Sequence, residues 1–442
     1  MTIYNDERVI QAKAYLLAAL TEANAKIQGV RPPKEAYKES YDAYIKTYNT
    51  IRGFPLFYPY LGSGRGNGVF VELLDGSVKF DLISGIGPHY MGHSNPLLLP
   101  ALVDAALSDI VIQGNLQQNK IAFDFASLLT ENAKLKHCFL SSSGTMACEN
   151  SLKICFQKNY PATRVLAFER CFAGRSLALT TITDKPAFRQ GLPLSISVDY
   201  IPFYDHNDPV DSTKRALDAL KTHILRYPKQ HAVMCLELVQ GEGGFWTAPR
   251  EFFVQIIQIL KESGIAVWID EIQTFARSES LFAFQYYGLQ EYVDVVSIGK
   301  VSLCCATLFT QDFCPKPGLL GQTFTAATSS IAAGMYTIRY AIENGFFGPD
   351  GKIAKLHQAF VDGLKAFEPT ISGPYGIGSM IGFTPYQGEE EKVRALAQRL
   401  FDNGVISFIA GSNPTRIRFL LPVGAMELES ICPIMNIIGK SL

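Results

Sequence analysis

Ile265-Ala266-Val267-Trp268-Ile269-Asp270-Glu271-Ile272-Gln273 and, further along, Asp294-Val295-Val296-Ser297-Ile298-Gly299-Lys300 decide the fold. In each stretch a short apolar run stops abruptly at polar residues. Runs of this length, apolar without alternation, predict strands buried on both faces, as in a parallel sheet covered by helices. An aspartate and a lysine then stand at the carboxyl ends of two such strands, the edge at which open α/β sheets bind ligands.

Outward from these strands, alternating strand and helix patterns run from about residue 97 to 340, the signature of an α/β sheet with crossovers. The further candidate strands are His137–Leu140, Arg164–Phe168 and Ala232–Leu238. Residues 1–50 read as polar helices, broken at Arg52-Gly53-Phe54-Pro55. Gly62-Ser63-Gly64-Arg65-Gly66-Asn67-Gly68 resembles a dinucleotide fingerprint in composition only, because no strand precedes it and no helix follows. It is expected to be a loop. Val69 to Phe80 predicts a hairpin around Asp75-Gly76. Beyond Asn344-Gly345, an amphipathic helix over Glu391–Phe401 precedes strands at Val405–Ala410 and Arg416–Leu421. The expected division is an N-terminal segment 1–86, a large domain 87–343 and a C-terminal domain 344–442. The two end segments would together form a smaller α+β domain.

With 442 residues, 48% of them hydrophobic and 18% charged, the chain can bury a substantial core. A net charge of −1 offers no bulk attraction to nucleic acid or anionic membranes. No apolar run reaches the ~18 residues of a membrane span, and the first residues lack a basic export signal. Nine scattered cysteines, without a CxxC pair or a His/Cys cluster, predict reduced, buried thiols in a cytoplasmic protein and no metal site. Cys304-Cys305 read as packing residues.

Alone, a lysine or an aspartate at a strand end is common and implies no chemistry. Together, Lys300 and Asp270 suit pyridoxal 5'-phosphate, which needs a lysine for a Schiff base and an acid opposite its pyridinium nitrogen. Leu140-Ser141-Ser142-Ser143-Gly144-Thr145 follows a strand and opens a helix with Cys148, Leu152, Cys155 and Phe156 at helical spacing. Such a helix start offers free N–H groups and a positive dipole end to a phosphate. By itself the loop would read as an ordinary serine cap.

Ser143-Gly144-Thr145, Phe172-Ala173-Gly174-Arg175, Glu237-Leu238-Val239-Gln240-Gly241-Glu242-Gly243-Gly244, Asp270-Glu271-Ile272-Gln273, Ile298-Gly299-Lys300 and Gln322-Thr323-Phe324 together resemble class III aminotransferases of PLP fold type I. The resemblance covers about residues 54–423 and is nearest to enzymes acting on 4-aminobutyrate, acetylornithine, ornithine or lysine. It implies a large domain with a mostly parallel central sheet, helices on both faces, and transfer of an amino group to 2-oxoglutarate in a ping-pong cycle. Lys300 would form the Schiff base and shuttle the proton. Asp270 would keep the pyridine nitrogen protonated, Gln273 would reach the ring's phenolic oxygen, and Phe172 would stack on the ring. Ser143, Gly144 and Thr145 would hold the phosphate, and Thr323 would reach the phosphate of a neighbouring subunit, so that the unit is a homodimer. For substrate, Arg175 matches the distal-carboxylate arginine. Arg418, two residues after Arg416 on one strand face, matches the α-carboxylate arginine. Glu242 matches the residue that neutralises that arginine when the donor lacks an α-carboxylate. Ile86, where ornithine enzymes tend to carry tyrosine, mildly disfavours ornithine.

The sequence departs from the family pattern at Ala173, where a histidine is usual, and at Met146, where an acid is. It departs again at Val301-Ser302-Leu303-Cys304-Cys305-Ala306, where glycines are usual, and at Ala326-Ala327, where Asn-Pro is. None of these positions carries a chemical group of the reaction. The alternatives are a class III relative with another outcome, an aminomutase or a decarboxylase, or a catalytically idle binding protein.

Overall fold

A computed structural model describes residues 3–442. The chain folds into two compact units, one comprising Met1–Leu107, Lys355–Pro374 and Ser379–Leu442, the other Ser108–Ala354 with Tyr375–Gly378. It thus changes unit after Leu107 and after Ala354, not at the expected positions 86 and 343.

The larger unit is built on a seven-stranded sheet. Its strands, labelled within the sheet in chain order, are β1 His137–Ser141, β2 Arg164–Phe168, β3 Ser197–Ile201, β4 His231–Leu236, β5 Ala266–Glu271, β6 Val295–Ile298 and β7 Cys305–Phe309. Their spatial order is β1-β7-β6-β5-β4-β2-β3. β6, β5, β4, β2 and β3 pair in parallel, while β7 runs antiparallel to both β6 and β1. The mostly parallel sheet agrees with the apolar runs. β5 and β6 are buried along their whole length, as strands flanked by helices on both faces must be. β3 and β7 were not legible as strands. Ser197–Ile201 is an edge strand of mixed polarity, and Cys305–Phe309 begins within the Val301 to Ala306 stretch that departs from the family pattern.

The helices owe their positions to amphipathic faces. Arg250–Glu262 buries Phe252, Phe253, Ile256, Ile257 and Leu260, an i, i+3/i+4 stripe. Gly144–Lys158 begins at Ser143, whose hydroxyl accepts the Met146 N–H at 3.2 Å, and buries Cys148, Leu152 and Cys155. Thr328–Glu343 lies so close to the turn after β6 that a Cβ on Gly334 would meet the Ser302 carbonyl oxygen at 1.9 Å.

In the smaller unit, Glu7–Asn24 and Glu35–Arg52 are the two N-terminal helices, the second ended by Gly53 in the left-handed region at φ 80°. Phe70–Leu73 and Val78–Asp81 form the expected hairpin. The glycine-rich segment is not a loop: Gly62–Asn67 is a third strand, paired antiparallel with Phe70–Leu73. Close approach explains Gly66, where a Cβ would come within 2.3 Å of His93 Cβ, and Gly64 has φ 82°. The expected single strand over Val405–Ala410 is two: Val405–Ile406 runs parallel to Val78–Asp81, and Phe408–Ala410 runs antiparallel to Arg416–Leu420. N- and C-terminal segments therefore share one sheet. Glu390–Asn403 buries Val393, Leu396, Ala397 and Leu400, as its periodicity predicts, and ends at Gly404 with φ 105°. Of the nine cysteines, all free thiols, Cys314 and Cys432 are exposed, contrary to the expectation of wholly buried thiols.

Candidate active site

β5 and β6 place Asp270 beside Ser297 in register, with Lys300 three residues beyond. Lys300 opens a single 3-10 turn, Lys300–Ser302, with its own backbone in the left-handed region at φ 51°. Such a conformation in a residue other than glycine is uncommon and gathers at functional sites. The turn carries the chain straight into β7, whose first residue, Cys305, pairs with Ser141 at the end of β1. β1, β6 and β7 thus bring the Ser143 loop and the Lys300 turn to the same sheet edge. The Val301 to Ala306 stretch, which departs from the family pattern, is this connection.

Ile272 packs between them. A Cβ on Gly144 would stand 3.0 Å from Ile272 Cγ2, and a Cβ on Gly299 would stand 3.0 Å from both Ile272 Cδ1 and Cys305 Sγ. Both glycines permit the close approach of the three loops. Ser143 spends its hydroxyl on Met146, so Gly144 and Thr145 occupy the first turn of the helix, whose leading N–H groups have no partner within the helix.

Asp270 is buried. Its Oδ1 accepts the Ile272 N–H at 3.0 Å, and the Cys148 thiol donates to Oδ2 at 3.4 Å. Burial pushes its carboxyl up to about 6, against the lowering effect of those two donors and of the Lys300 charge. Glu237, at the end of β4, accepts the Phe172 N–H at 2.8 Å and the Gly241 N–H at 3.1 Å, so it fixes the backbone of both loops. Burial, reinforced by the Asp270 charge, pushes Glu237 up to about 8. Glu271 has a separate set of partners. Its carboxylate accepts the N–H groups of Ala283 and Phe284, each at 2.8 Å, and burial raises it to about 7. Sequence reasoning quoted Glu237 and Glu271 inside motifs but gave them no role. The signal was their position at strand ends within otherwise apolar runs.

Gln273 lies against Gly241, where a Cβ would come within 2.3 Å of its Oε1, and that oxygen is buried without a hydrogen-bond partner. Phe172 is half-buried. The turn it opens is clamped by Thr183, whose hydroxyl accepts the Ala173 and Gly174 N–H groups and donates to the Gly174 carbonyl. Gly174 itself, at φ 142°, approaches Thr145, since its Cβ would stand 3.5 Å from the Thr145 Oγ1. Gln322 donates to Ser141 Oγ at 3.4 Å, and Thr323 next to it is exposed. Arg175 is exposed, with its guanidinium 3.8 Å from the centroid of Phe188. Glu242 pairs with Lys185 at 2.7 Å.

The sequence model of the aminotransferase class-III family matches residues 58–439. The chain belongs to the class III aminotransferases. An acetylornithine aminotransferase of Oceanobacillus iheyensis is 29% identical to this class III aminotransferase over 403 residues, covering 88% of this chain and 94% of that protein. A [LysW]-aminoadipate semialdehyde transaminase of Deinococcus radiodurans is also 29% identical, covering 81% and 80%. Among solved structures, the lysine aminotransferase from M. tuberculosis in its internal aldimine form superposes with a TM-score of 0.80 at 20% identity, over 90% of this chain and 99% of that one. The ornithine aminotransferase from Toxoplasma gondii gives 0.79 at 19%, over 92% and 97%. These likenesses show that the class III aminotransferase has the fold of PLP fold type I, with its separate smaller unit.

In that smaller unit, Arg416 and Arg418 lie on one strand and are both buried. The guanidinium of Arg418 stands 5.4 Å from the Phe408 ring centroid. Ile86 is in the same unit, in the run Ser84-Gly85-Ile86-Gly87, all four with positive φ. For a β-branched residue the φ of 61° at Ile86 is an outlier. The run is anchored by Ser84 Oγ, which donates to the Leu420 carbonyl at 2.7 Å, so Ile86 and the Arg418 strand share one framework. Among the described residues, no helix is long and apolar enough to cross a membrane.

Proposed function

We propose that this class III aminotransferase holds pyridoxal phosphate at the β5–β6 edge and moves an amino group from an ω-amino acid or amine to 2-oxoglutarate. The observation that carries the reading is the convergence of Asp270, Lys300 and the partnerless Gln273 oxygen with a capped helix start. A buried carboxylate whose hydrogen-bond donors are both neutral fits a cationic ring nitrogen, and a buried side-chain amide with an unmet hydrogen-bonding atom fits a polar ring edge. When bound, pyridoxal phosphate supplies an electron sink for the negative charge that develops on the donor carbon. The chain's own groups do the rest. Lys300 holds the cofactor and carries the proton between donor carbon and cofactor. Asp270 favours the protonated ring nitrogen, Gln273 reaches the ring oxygen, Phe172 covers a ring face, and Ser143, Gly144 and Thr145 grip the phosphate.

Arg175 takes a distal carboxylate and Arg418 an α-carboxylate, because a guanidinium fork binds a carboxylate with two parallel hydrogen bonds. Glu242 serves donors that lack an α-carboxylate, and Ile86 shapes the substrate side. The names of the two relatives, an acetylornithine and a semialdehyde transaminase, support an ω-amino donor. Exposure of Thr323 fits a contact made to a second subunit, and we read the working form as a cytoplasmic homodimer.

The test is a panel of amine donors against 2-oxoglutarate with the purified, cofactor-loaded protein. Wild type should show the visible absorbance of the bound cofactor and turn over ω-amino donors. Lys300→Ala should lose that absorbance and at least about 10²–10⁴ in rate, the worth of a positioned proton shuttle. A Lys300→Ala protein with near-wild-type turnover rules the reading out.

A further inference from the structure

The second strand of the N-terminal hairpin ends at Asp81, and the chain then enters Ser84-Gly85-Ile86-Gly87, with φ of 52°, 63°, 61° and 117°. A serine and a β-branched residue keep such a backbone only where their surroundings over-determine it. Ser84 is the point at which they do so. Its N–H donates to Asp81 Oδ1 at 2.8 Å, and its hydroxyl donates to the Leu420 carbonyl at 2.7 Å. Its carbonyl accepts the Gly87 N–H at 3.0 Å and the His89 N–H at 3.1 Å, which closes a turn around Ile86. Asp81 Oδ1 also takes the Ile83 N–H at 3.1 Å. The Leu420 N–H returns to the Leu82 carbonyl at 2.7 Å, so the run is bonded twice to the strand Arg416–Leu420.

The other oxygen of Asp81 lies 2.8 Å from His93 Nε2, and both side chains are buried. His93 is fixed in turn: its N–H donates to the Gly68 carbonyl at 2.8 Å, and its ring stacks on His89 with centroids 4.4 Å apart. One oxygen of Asp81 therefore grips the start of the turn while His93 holds the other. We propose that Asp81, braced by His93, is a positioning residue for the substrate: it fixes Ile86 relative to the strand that carries Arg418. The acid acts through the backbone of Ile83 and Ser84. A turn held in this way keeps an apolar wall at a constant distance from a carboxylate clamp, as a preorganised site requires. The inference rests on the substrate roles of Ile86 and Arg418 proposed above, and adds Asp81 and His93 as the groups that set their spacing.

The experiment uses Asp81→Leu, which keeps the volume but accepts no hydrogen bond, Asp81→Asn, which keeps the acceptor, and His93→Phe, which keeps a ring. Hydrogen exchange over residues 82–90, read by mass spectrometry on the full-length protein without donor, reports the turn. It should quicken about tenfold in Asp81→Leu, the worth of a lost bond to a carboxylate, and by less in His93→Phe, while Asp81→Asn stays near wild type. Steady-state kinetics of the cofactor-loaded proteins report the substrate, with 4-aminobutyrate, N-acetylornithine or lysine against 2-oxoglutarate and rates taken per bound cofactor. In Asp81→Leu the KM for the donor should rise about tenfold, the worth of one mismatched methylene in an apolar pocket, with kcat changed less than about twofold. A merely structural acid would lower the amount of loaded protein and leave KM alone, so quickened exchange with an unchanged KM overturns the proposal. Exchange as slow as wild type in both Asp81→Leu and His93→Phe does the same, as does an Asp81→Asn protein that behaves like Asp81→Leu. Should Asp81→Leu fail to fold, His93→Phe carries the same two readouts in the same directions. A wild type that turns over none of the three donors defeats the proposed function and the substrate role with it. The exchange result then still decides whether Asp81 holds the turn.

Discussion

Burial holds the Asp270 carboxyl at about 6, so near neutral pH a fraction of it is protonated until a cation faces it. The Cys148 thiol and the Ile272 N–H orient it, and neither brings a positive charge. A protonated ring nitrogen would supply that charge and in turn be kept protonated. Asp270→Asn removes the reciprocity while keeping the shape. The protein should still bind pyridoxal phosphate through the helix start, yet single-turnover rates should fall by roughly 10²–10⁴, the range for a positioned proton-holding group. Titration of the cofactor by absorbance separates the two effects, and full activity would reduce Asp270 to a strand end. At this scale the sequence was legible where a polar residue interrupts an apolar run, as at Asp270 and Lys300. It was not legible where a residue works through another's backbone. Thr183, Glu237 and Cys148 act by accepting or donating to groups that sequence distance hides.

Helix Thr328–Glu343 sets the position of the Lys300 turn, and Gly334 is where the two meet. Its missing Cβ leaves room for the Ser302 carbonyl, a backbone atom that cannot swing aside. Gly334→Ala should therefore shift the Lys300–Ser302 turn and cost about 1–3 kcal/mol, the usual penalty of overpacking. Helix propensity alone would favour alanine by up to about 1 kcal/mol. Thermal unfolding gives the sign, and cofactor affinity should fall with it. Greater stability with unchanged affinity would mean that the helix yields instead. Elements with a clear period, such as Glu390–Asn403, were readable from sequence because one face must be apolar. Cys305–Phe309 was not, since a short buried run directly after a turn carries no period of its own. Gly62–Asn67 failed for the opposite reason: Gly66 answers to its neighbour His93, and a glycine-rich composition made the strand look like a loop.

Across the whole molecule, three buried carboxyls carry a common pH signature. Asp270, Glu271 and Glu237 stand at about 6, 7 and 8, each raised by burial above its ordinary value near 4. Below that ordinary value both folded and unfolded chains are protonated there, and the groups contribute no pH dependence. Between about pH 4 and 8 the unfolded chain releases these protons first. It therefore binds fewer than the native chain, and stability falls as pH rises. The cofactor-free protein should accordingly melt at progressively lower temperature from about pH 5 to 8. Loading pyridoxal phosphate should flatten the slope by stabilising the charged form of Asp270. A flat profile without cofactor would mean that water or a counter-ion reaches the three groups.

The α/β architecture, the ends of β5 and β6, the amphipathic helices and the family itself were determined by the sequence, because apolar runs and motif order are local and survive without neighbours. Tertiary structure alone decided the rest. It inserted β7 antiparallel between β6 and β1, and so brought the Ser143 loop and the Lys300 turn to one edge. It joined Val405–Ile406 to the N-terminal hairpin, and it stacked Arg175 and Lys185 on Phe188 with Glu242 beside them. Each of these depends on which distant surfaces meet. Burial then turns such a meeting into chemistry: it raises a carboxyl, favours glycine at a crossing, or sets two cations on one ring, and one chain position does not reveal its neighbour.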